Sequence, residues 1–264
     1  MSGDAEQTGE ELGEGTLLSH LVELRSRLLK VAAAVVVVFI GLLPFARKIF
    51  EFTSEPLRSV LPGGQMIATA VASPLLAPFK LTFYIALFIA MPIVLYQTWA
   101  FVAPGLYKKE KRFALPLLAS SIVLFYAGIA FAYYVVFPLI FGFMTAVAPD
   151  GVEVMTDVTA YLDFIMMLVL AFGLAFEVPI AAVLIVWTGL TSVEQLGKAR
   201  PYVFLGAFIV GMLLTPPDVI SQTLLAVPVY LLYELGIIMA RVFSSRPAED
   251  SEESTAADSS EAVK

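Results

Sequence analysis

The side chains that could do chemistry in this sequence are a few acids and polar groups beside or inside long apolar segments. Glu23 precedes the first such segment, Glu110 stands in a basic stretch, and Glu177 has apolar neighbours on both sides. Thr215 and Gln222 flank a short Pro-Pro turn. The chain has no cysteine and one histidine, so thiolate chemistry is excluded and a multi-histidine metal site is unsupported. We therefore predict no catalytic residue, no metal and no cofactor.

The segments that position these side chains follow from composition. The chain is 59% hydrophobic and 15% charged, whereas a soluble domain is about half apolar and about a quarter charged. Taking about 20 apolar residues as one membrane crossing, we predict an all-α polytopic membrane protein with about six transmembrane helices. The predicted spans are residues 28–45, 81–103, 113–137, 164–187, 202–214 and 219–239.

Proline and charge predict the form and orientation of this bundle. Proline lies within or at the edge of nearly every span, which favours kinked helices and a concave bundle. Lys and Arg cluster before the first span, after the last, and in the second and fourth loops. By the positive-inside rule both termini are cytoplasmic.

The fifth span is predicted to be unusual, because residues 202–214 form only a short apolar segment. Thirteen residues reach about 20 Å, against a hydrocarbon core of roughly 30 Å. This shortfall predicts either a locally thinned membrane or a re-entrant hairpin. Both alternatives leave the C-terminus cytoplasmic.

The two ends of the chain are predicted to differ from the core. Residues 1–15 and 244–264 are acidic and poor in apolar side chains, which is typical of disordered segments. The membrane domain then covers residues 16–243 and opens with an amphipathic interfacial helix over residues 17–28. Glu23 and Arg27 are four residues apart in this helix, so a simple solvated ion pair is one interpretation of both.

Four segments in order resemble the signatures of the TatC family, the multi-spanning signal-receptor subunit of the twin-arginine (Sec-independent) protein translocase. The resemblance covers about residues 16–243, and the acidic ends lie outside it. The matching segments are residues 18–28 (LSHLVELRSRL), residues 101–107 (FVAPGLY) followed by 110–112 (EKR), residues 172–179 (FGLAFEVP) and residues 214–222 (LTPPDVISQ).

The resemblance implies a receptor in the bacterial inner membrane and not an enzyme. It implies that the chain binds twin-arginine signal peptides and, in a hetero-oligomer with single-span TatA- and TatB-type partners, exports folded proteins using the proton-motive force. No nucleic acid is implied. The signal-peptide site implied by the family contains Glu23, Glu110, Arg25 and Phe101. The polar intramembrane and partner-docking residues that it implies are Glu177, Thr215, Gln222, Asp218 and Met212.

Each of these residues also has a simpler interpretation, which the sequence leaves open. Glu110 would balance the basic residues beside it, and Glu177 would hydrogen-bond a neighbouring helix, since an ionised side chain facing lipid is costly. Thr215 and Gln222 would join two helices. Glu234, near the cytoplasmic end of the last span, is better explained by structural pairing.

Two other function classes fit less well. A proton-coupled transporter with Glu177 as relay would show an internal repeat with matching broken helices, and none is evident. An intramembrane protease would need a nucleophile with a base, or two acids at the same depth. His20 is the one histidine and lies outside the spans, and Glu177 has no clear partner acid.

Overall fold

The computed structural model describes residues 4–60, 67–102, 111–147, 157–215 and 218–244. In this part of the chain all regular elements are helical, apart from an isolated bridge between Ile67 and Asp157. Six helical segments are long and apolar enough to cross a membrane, which confirms the predicted all-α class and span number. They are Leu21–Thr53, Ser73–Phe101, Leu115–Phe143, Val158–Trp187, Val193–Leu214 and Val219–Val242.

The helices divide between two compact units, residues 1–118 with 157–159 and residues 119–156 with 160–264. In chain order the helices are α1 (Asp4–Leu42), α2 (Ala46–Val60), α3 (Ser73–Val102), α4 (Lys111–Phe131), α5 (Phe137–Val147), α6 (Val158–Ala175), α7 (Val178–Trp187), α8 (Val193–Leu214) and α9 (Val219–Ser244).

In the first unit α3 packs against both α1 and α2. A short 3-10 turn at Leu43–Phe45 separates α1 from α2, where Pro44 removes a backbone donor. The helix α1 begins at Asp4 and continues without a break through the predicted interfacial helix and first span. The structure therefore includes residues 4–15, which we predicted to be disordered, in a helix. The predicted tail lies outside the described residues from 245 onward.

A polar cluster joins the segment before α3 to the start of α6 within the first unit. Asp157 Oδ2 accepts hydrogen bonds from the Thr69 backbone N–H at 2.9 Å and from its hydroxyl at 2.7 Å. Asp157 Oδ1 accepts from the Thr159 N–H, and the Thr159 hydroxyl donates to the buried Ser73 hydroxyl at 2.8 Å. These bonds hold two connections together that are far apart in sequence.

In the second unit α9 is the central element and packs against α7 and α8. Proline and glycine shape the helices around it. Pro179 follows the break between α6 and α7, and Pro138 follows a π-helical turn at Ala132–Val136. In both places the missing proline N–H prevents a regular α-helical bond. Gly189, at φ 73°, ends α7 in a conformation that glycine adopts without strain.

The fifth span differs from the prediction in length. The helix α8 has 22 residues, and it begins nine positions before the predicted start at residue 202. Its first turn is fixed by a capping box in which the Gln195 N–H donates to the Ser192 hydroxyl oxygen and the Ser192 N–H donates to Gln195 Oε1. A helix of this length extends about 33 Å. The helix is therefore long enough to cross a membrane, while its apolar part, residues 202–214, on which the predicted shortfall rests, remains short.

Candidate functional site: three polar clusters on the helices

The first cluster lies where α1 meets α3 and is built around Arg27. Its Nε and one terminal nitrogen donate to Glu23 Oε1 at 2.9 and 2.5 Å. Its other terminal nitrogen donates to Gln97 Oε1 of α3 at 3.2 Å. Both bonds to Glu23 use Oε1, so Oε2 has no partner within the described part of the chain. The carboxylate is held in one orientation, with 40% of the Glu23 side chain exposed.

The other predicted signal-peptide residues fall around this cluster or outside the described residues. Arg25 is exposed on α1 and makes no hydrogen bond or ion pair within the described residues. Phe101 is half-buried and lies four positions after Gln97, one turn further along α3. Glu110 lies outside the described residues. The structure therefore brings Glu23 close to the helix that carries Phe101, while the placement of Glu110 stays a prediction.

The second cluster surrounds Glu177 at the break between α6 and α7. The Ser121 hydroxyl of α4 donates a short hydrogen bond to Glu177 Oε2. Glu177 Oε1 is buried and has no hydrogen-bond partner among the described residues. The predicted hydrogen bond to a neighbouring helix is confirmed, and one carboxyl oxygen remains unsatisfied.

Small residues allow the helices beside Glu177 to approach closely. A Cβ added to Gly128 of α4 would lie 2.6 Å from the Phe172 carbonyl oxygen of α6. A Cβ on Gly173 would lie 2.6 Å from the Phe125 ring. This is the small-residue packing expected between membrane helices. It explains how Ser121 comes within reach of a carboxyl group 56 positions later in the chain.

The third cluster lies where α8 turns into α9. The Thr215 hydroxyl donates to the Gly211 carbonyl oxygen at 2.9 Å, and Gln222 Nε2 donates to the Phe208 carbonyl oxygen at 2.7 Å. Asp218 Oδ1 accepts from the Ser221 N–H at 2.7 Å, at the first turn of α9. Gln222 therefore joins α9 to α8, as the interhelical interpretation predicted, whereas the Thr215 hydroxyl bonds within the last turn of α8.

Met212 differs from the other predicted residues of the third cluster because 51% of it is exposed. Residues 208, 211, 212 and 215 follow the spacing of one helix face. Met212 thus places an exposed, flexible apolar side chain beside the two hydrogen-bonded polar groups. This face combines an apolar contact with a preformed polar edge, which suits a transmembrane helix carrying a polar side chain.

The sequence predicted that Glu234 has a structural pairing but did not identify its partner. The Arg200 guanidinium of α8 donates to Glu234 Oε1 and Oε2 at 2.7 and 2.8 Å, and the Tyr230 hydroxyl donates to Oε1 at 2.9 Å. Gln97 and Ser121 were missed altogether. A polar residue inside an apolar span was the available signal for both. Within the described residues no group of His, Cys, Asp and Glu side chains is arranged to hold a metal ion.

Comparison with known proteins identifies the family of this chain. Residues 19–228 match the family model described as Sec-independent protein translocase protein (TatC). The TatC protein of Azotobacter chroococcum mcd 1 is 60% identical over 222 residues, which cover 84% of this chain and 87% of that protein. The TatC protein of Escherichia coli K12 is 57% identical over 228 residues, covering 86% and 88% of the two chains.

Solved structures show the same fold. A crystal structure described as the twin arginine translocase receptor TatC superposes with a TM-score of 0.76 at 36% identity, covering 84% of this chain and 98% of that one. A second, of the same receptor in DDM, gives a TM-score of 0.77 at 37% identity, with coverages of 84% and 99%. The multi-pass membrane protein described above therefore belongs to the TatC family of Sec-independent protein translocase proteins.

Proposed function

We propose that this chain is the receptor subunit that binds the paired arginines of twin-arginine signal peptides at the cytoplasmic face of the bacterial inner membrane. The observation that supports this most directly is the half-occupied carboxylate of Glu23. Arg27 holds Oε1, while Oε2 is left for a further donor. Glu110, from the adjoining basic loop, supplies the second acid.

The chemistry of the first cluster suits arginine better than lysine. A guanidinium offers a planar fork of donors to a carboxylate, whereas an ammonium is a flexible point charge. Gln97 fixes Arg27, and Arg27 in turn fixes Glu23, so little side-chain freedom is lost when a signal peptide binds. Arg27 also lowers the attraction of Glu23 for a second cation, which makes the geometry of donation more decisive than charge alone.

The remaining members of the signal-peptide site act beside this carboxylate. Arg25 is exposed and donates to carbonyl oxygens of the extended peptide. Phe101 provides an aromatic surface one turn from Gln97, against which an arginine side chain or the apolar part of the signal packs. The three residues thereby add contacts that do not depend on a second acid.

The third cluster is the proposed docking site for single-span partners of the TatA and TatB type. Met212 supplies apolar contact, while Thr215, Gln222 and Asp218 form the polar edge. The proposed energy source for exporting folded proteins is the proton-motive force, as the resemblance to the family implies, and the sequence contains no Gly-rich nucleotide-binding loop. Glu177 is proposed as a polar point inside the membrane that a passing substrate meets.

The signal-peptide site is tested by peptide binding to the purified full-length chain. We expect Glu23→Gln and Glu110→Gln each to weaken binding of an Arg-Arg signal peptide about tenfold, the loss of roughly one charge-assisted bond. The double variant should also lose discrimination against a Lys-Lys peptide. Glu194→Gln, at an exposed acid in the first turn of α8, is the matched control.

Each variant must first keep the thermal unfolding midpoint of the parent. If folded Gln variants bind the Arg-Arg peptide as tightly as the Glu194→Gln control, the two acids are solvated charges and the receptor site lies elsewhere.

A further inference from the structure

The exposed face of α1 has a shallow, open groove of which the proposed signal-peptide site uses only Arg25 and which the packing against α3 does not use. It has a volume of about 430 Å³ and is lined by residues of this one helix: Val22, Arg25, Ser26, Leu29, Lys30 and Ala33. Val22, Ser26, Leu29 and Ala33 are spaced four, three and four apart, so they form a single stripe along the helix. At about 100° per residue, Arg25 and Lys30 fall on opposite sides of that stripe.

The cations of this region divide into two groups with different surroundings. Arg27 is turned toward α3, where Glu23 and Gln97 occupy its donors. Arg25 and Lys30 are exposed, and neither has a hydrogen bond or ion pair within the described residues. Two cations thus flank a groove whose floor at Ser26 and Ala33 is formed by small side chains.

The position of this groove relative to the membrane follows from the charge pattern along α1. Residues 31–46 carry no charged side chain, and Arg47 follows them. Sixteen helical residues extend about 24 Å, against a hydrocarbon core of roughly 30 Å, so Lys30 and Arg47 bracket the uncharged segment that lies in the hydrocarbon region. Arg25, Leu29 and Lys30 therefore lie at the level of the lipid head groups, while Ala33, about 4.5 Å beyond Lys30 along the helix, reaches the acyl chains.

From this arrangement we propose that the face of α1 formed by Val22, Arg25, Ser26, Leu29, Lys30 and Ala33 is a specific binding site for one anionic phospholipid. The phosphodiester lies over Ser26 between the Arg25 guanidinium and the Lys30 ammonium, and an acyl chain follows Leu29 and Ala33 into the bilayer. The ligand is a lipid and not free phosphate, because an inorganic ion would leave the apolar half of the groove without a contact.

The charge contribution can be compared with the known scale for basic residues near anionic membranes. Each Lys or Arg at the surface contributes about 1 kcal/mol of attraction, which is a factor of about five in affinity. A site with both cations should prefer phosphatidylglycerol over phosphatidylcholine by more than tenfold. A bare apolar helix face would show no such preference.

The test is native mass spectrometry of the full-length chain in detergent, titrated with phosphatidylglycerol or phosphatidylcholine. We expect Arg25→Gln/Lys30→Gln to raise the apparent Kd for the first phosphatidylglycerol more than tenfold. The matched control is Arg47→Gln/Lys48→Gln, which removes two exposed cations beyond the other end of the uncharged segment. It should leave that first Kd within about twofold.

A second variant separates a shaped site from a general field of positive charge. Ser26→Phe fills the floor of the groove without changing charge, so it should also weaken the first phosphatidylglycerol, and inorganic phosphate should not compete. Equal losses in the two double variants, or parent-like binding by folded Ser26→Phe, would overturn the proposal. Lys30→Gln alone should change lipid affinity without changing Arg-Arg peptide binding, which keeps this test separate from that of the signal-peptide site.

Discussion

At the scale of single residues, Ser121 is the donor on which the buried carboxyl of Glu177 depends. Replacing Ser121 by Ala leaves both carboxyl oxygens without a donor from the described residues. An unsatisfied buried polar group costs about 1–3 kcal/mol. We therefore expect Ser121→Ala to lower the thermal unfolding midpoint of the detergent-solubilised chain. Thr98→Ala is the control, because the Thr98 hydroxyl is exposed and donates only to the Val94 carbonyl oxygen of its own helix.

Substitutions of Glu177 complete this experiment. Glu177→Gln keeps a side-chain oxygen that accepts from Ser121, so its unfolding midpoint should stay near that of the parent. Glu177→Ala should lower the midpoint or impair transport. A Ser121→Ala variant as stable as Thr98→Ala, together with full transport by Glu177→Ala, would show that this contact has no important role.

Whether the sequence predicted a contact depended on how far apart the two residues lie along the chain. Glu23 and Arg27 are four positions apart, so helical spacing alone predicted their pairing. Gln97 and Arg27 are 70 positions apart, and Ser121 and Glu177 are 56 apart. Such contacts are determined by how helices pack, and a single sequence contains no spacing rule for them.

At the scale of helices, α8 shows that the start of an apolar segment does not predict the start of the helix that contains it. The apolar segment begins at Tyr202, but the helix begins at Val193 and includes Arg200. Charge led us to place Arg200 in a loop, whereas pairing with Glu234 makes its position in the helix favourable. The Ser192 and Gln195 capping pattern was present in the sequence and would have indicated the correct start.

The face of α8 beside the α9 turn gives a prediction about partner docking. Met212 is half-exposed, so truncating it removes little internal packing. We expect Met212→Ala to weaken copurification of a TatB-type partner while the unfolding midpoint stays unchanged. The control is Val210→Ala, since Val210 is 48% exposed and lies about 160° around the helix from Met212.

Replacing both Thr215 and Gln222 by apolar residues is the companion experiment, and it also removes the bonds to Gly211 and Phe208. Its effect on docking is therefore interpretable only beside Met212→Ala. If partner recovery is the same for Met212→Ala, the double variant, Val210→Ala and the parent, Gln222 serves only to join α9 to α8, and Thr215 serves only to close the end of α8.

At the scale of the whole molecule, the number of spans was predictable because it depends on local composition, and the described residues contain six helices long and apolar enough to cross a membrane. The predicted orientation depends on how Lys and Arg are distributed among the connections, and this distribution differs between connections that should lie on the same side. Residues 138–163 carry no Lys or Arg, whereas residues 46–80 carry Arg47, Lys48, Arg58 and Lys80. With six crossings, both stretches must lie on the same side of the membrane. Charge counting therefore gives the weakest prediction of orientation for the connection before α3, and a measurement is most informative there.

The absence of cysteine from the chain makes this measurement direct. Val71, fully exposed before α3, is replaced by Cys to report the outer side, and exposed Glu194 in the first turn of α8 is replaced by Cys to report the cytoplasmic side. In intact spheroplasts an impermeant maleimide should label Val71→Cys at once and Glu194→Cys only after permeabilisation. The reverse pattern would invert the topology and move Glu23 away from the compartment in which signal peptides are made. Labelling of both sites before permeabilisation would mean that the number of crossings between them is even, which contradicts three full spans.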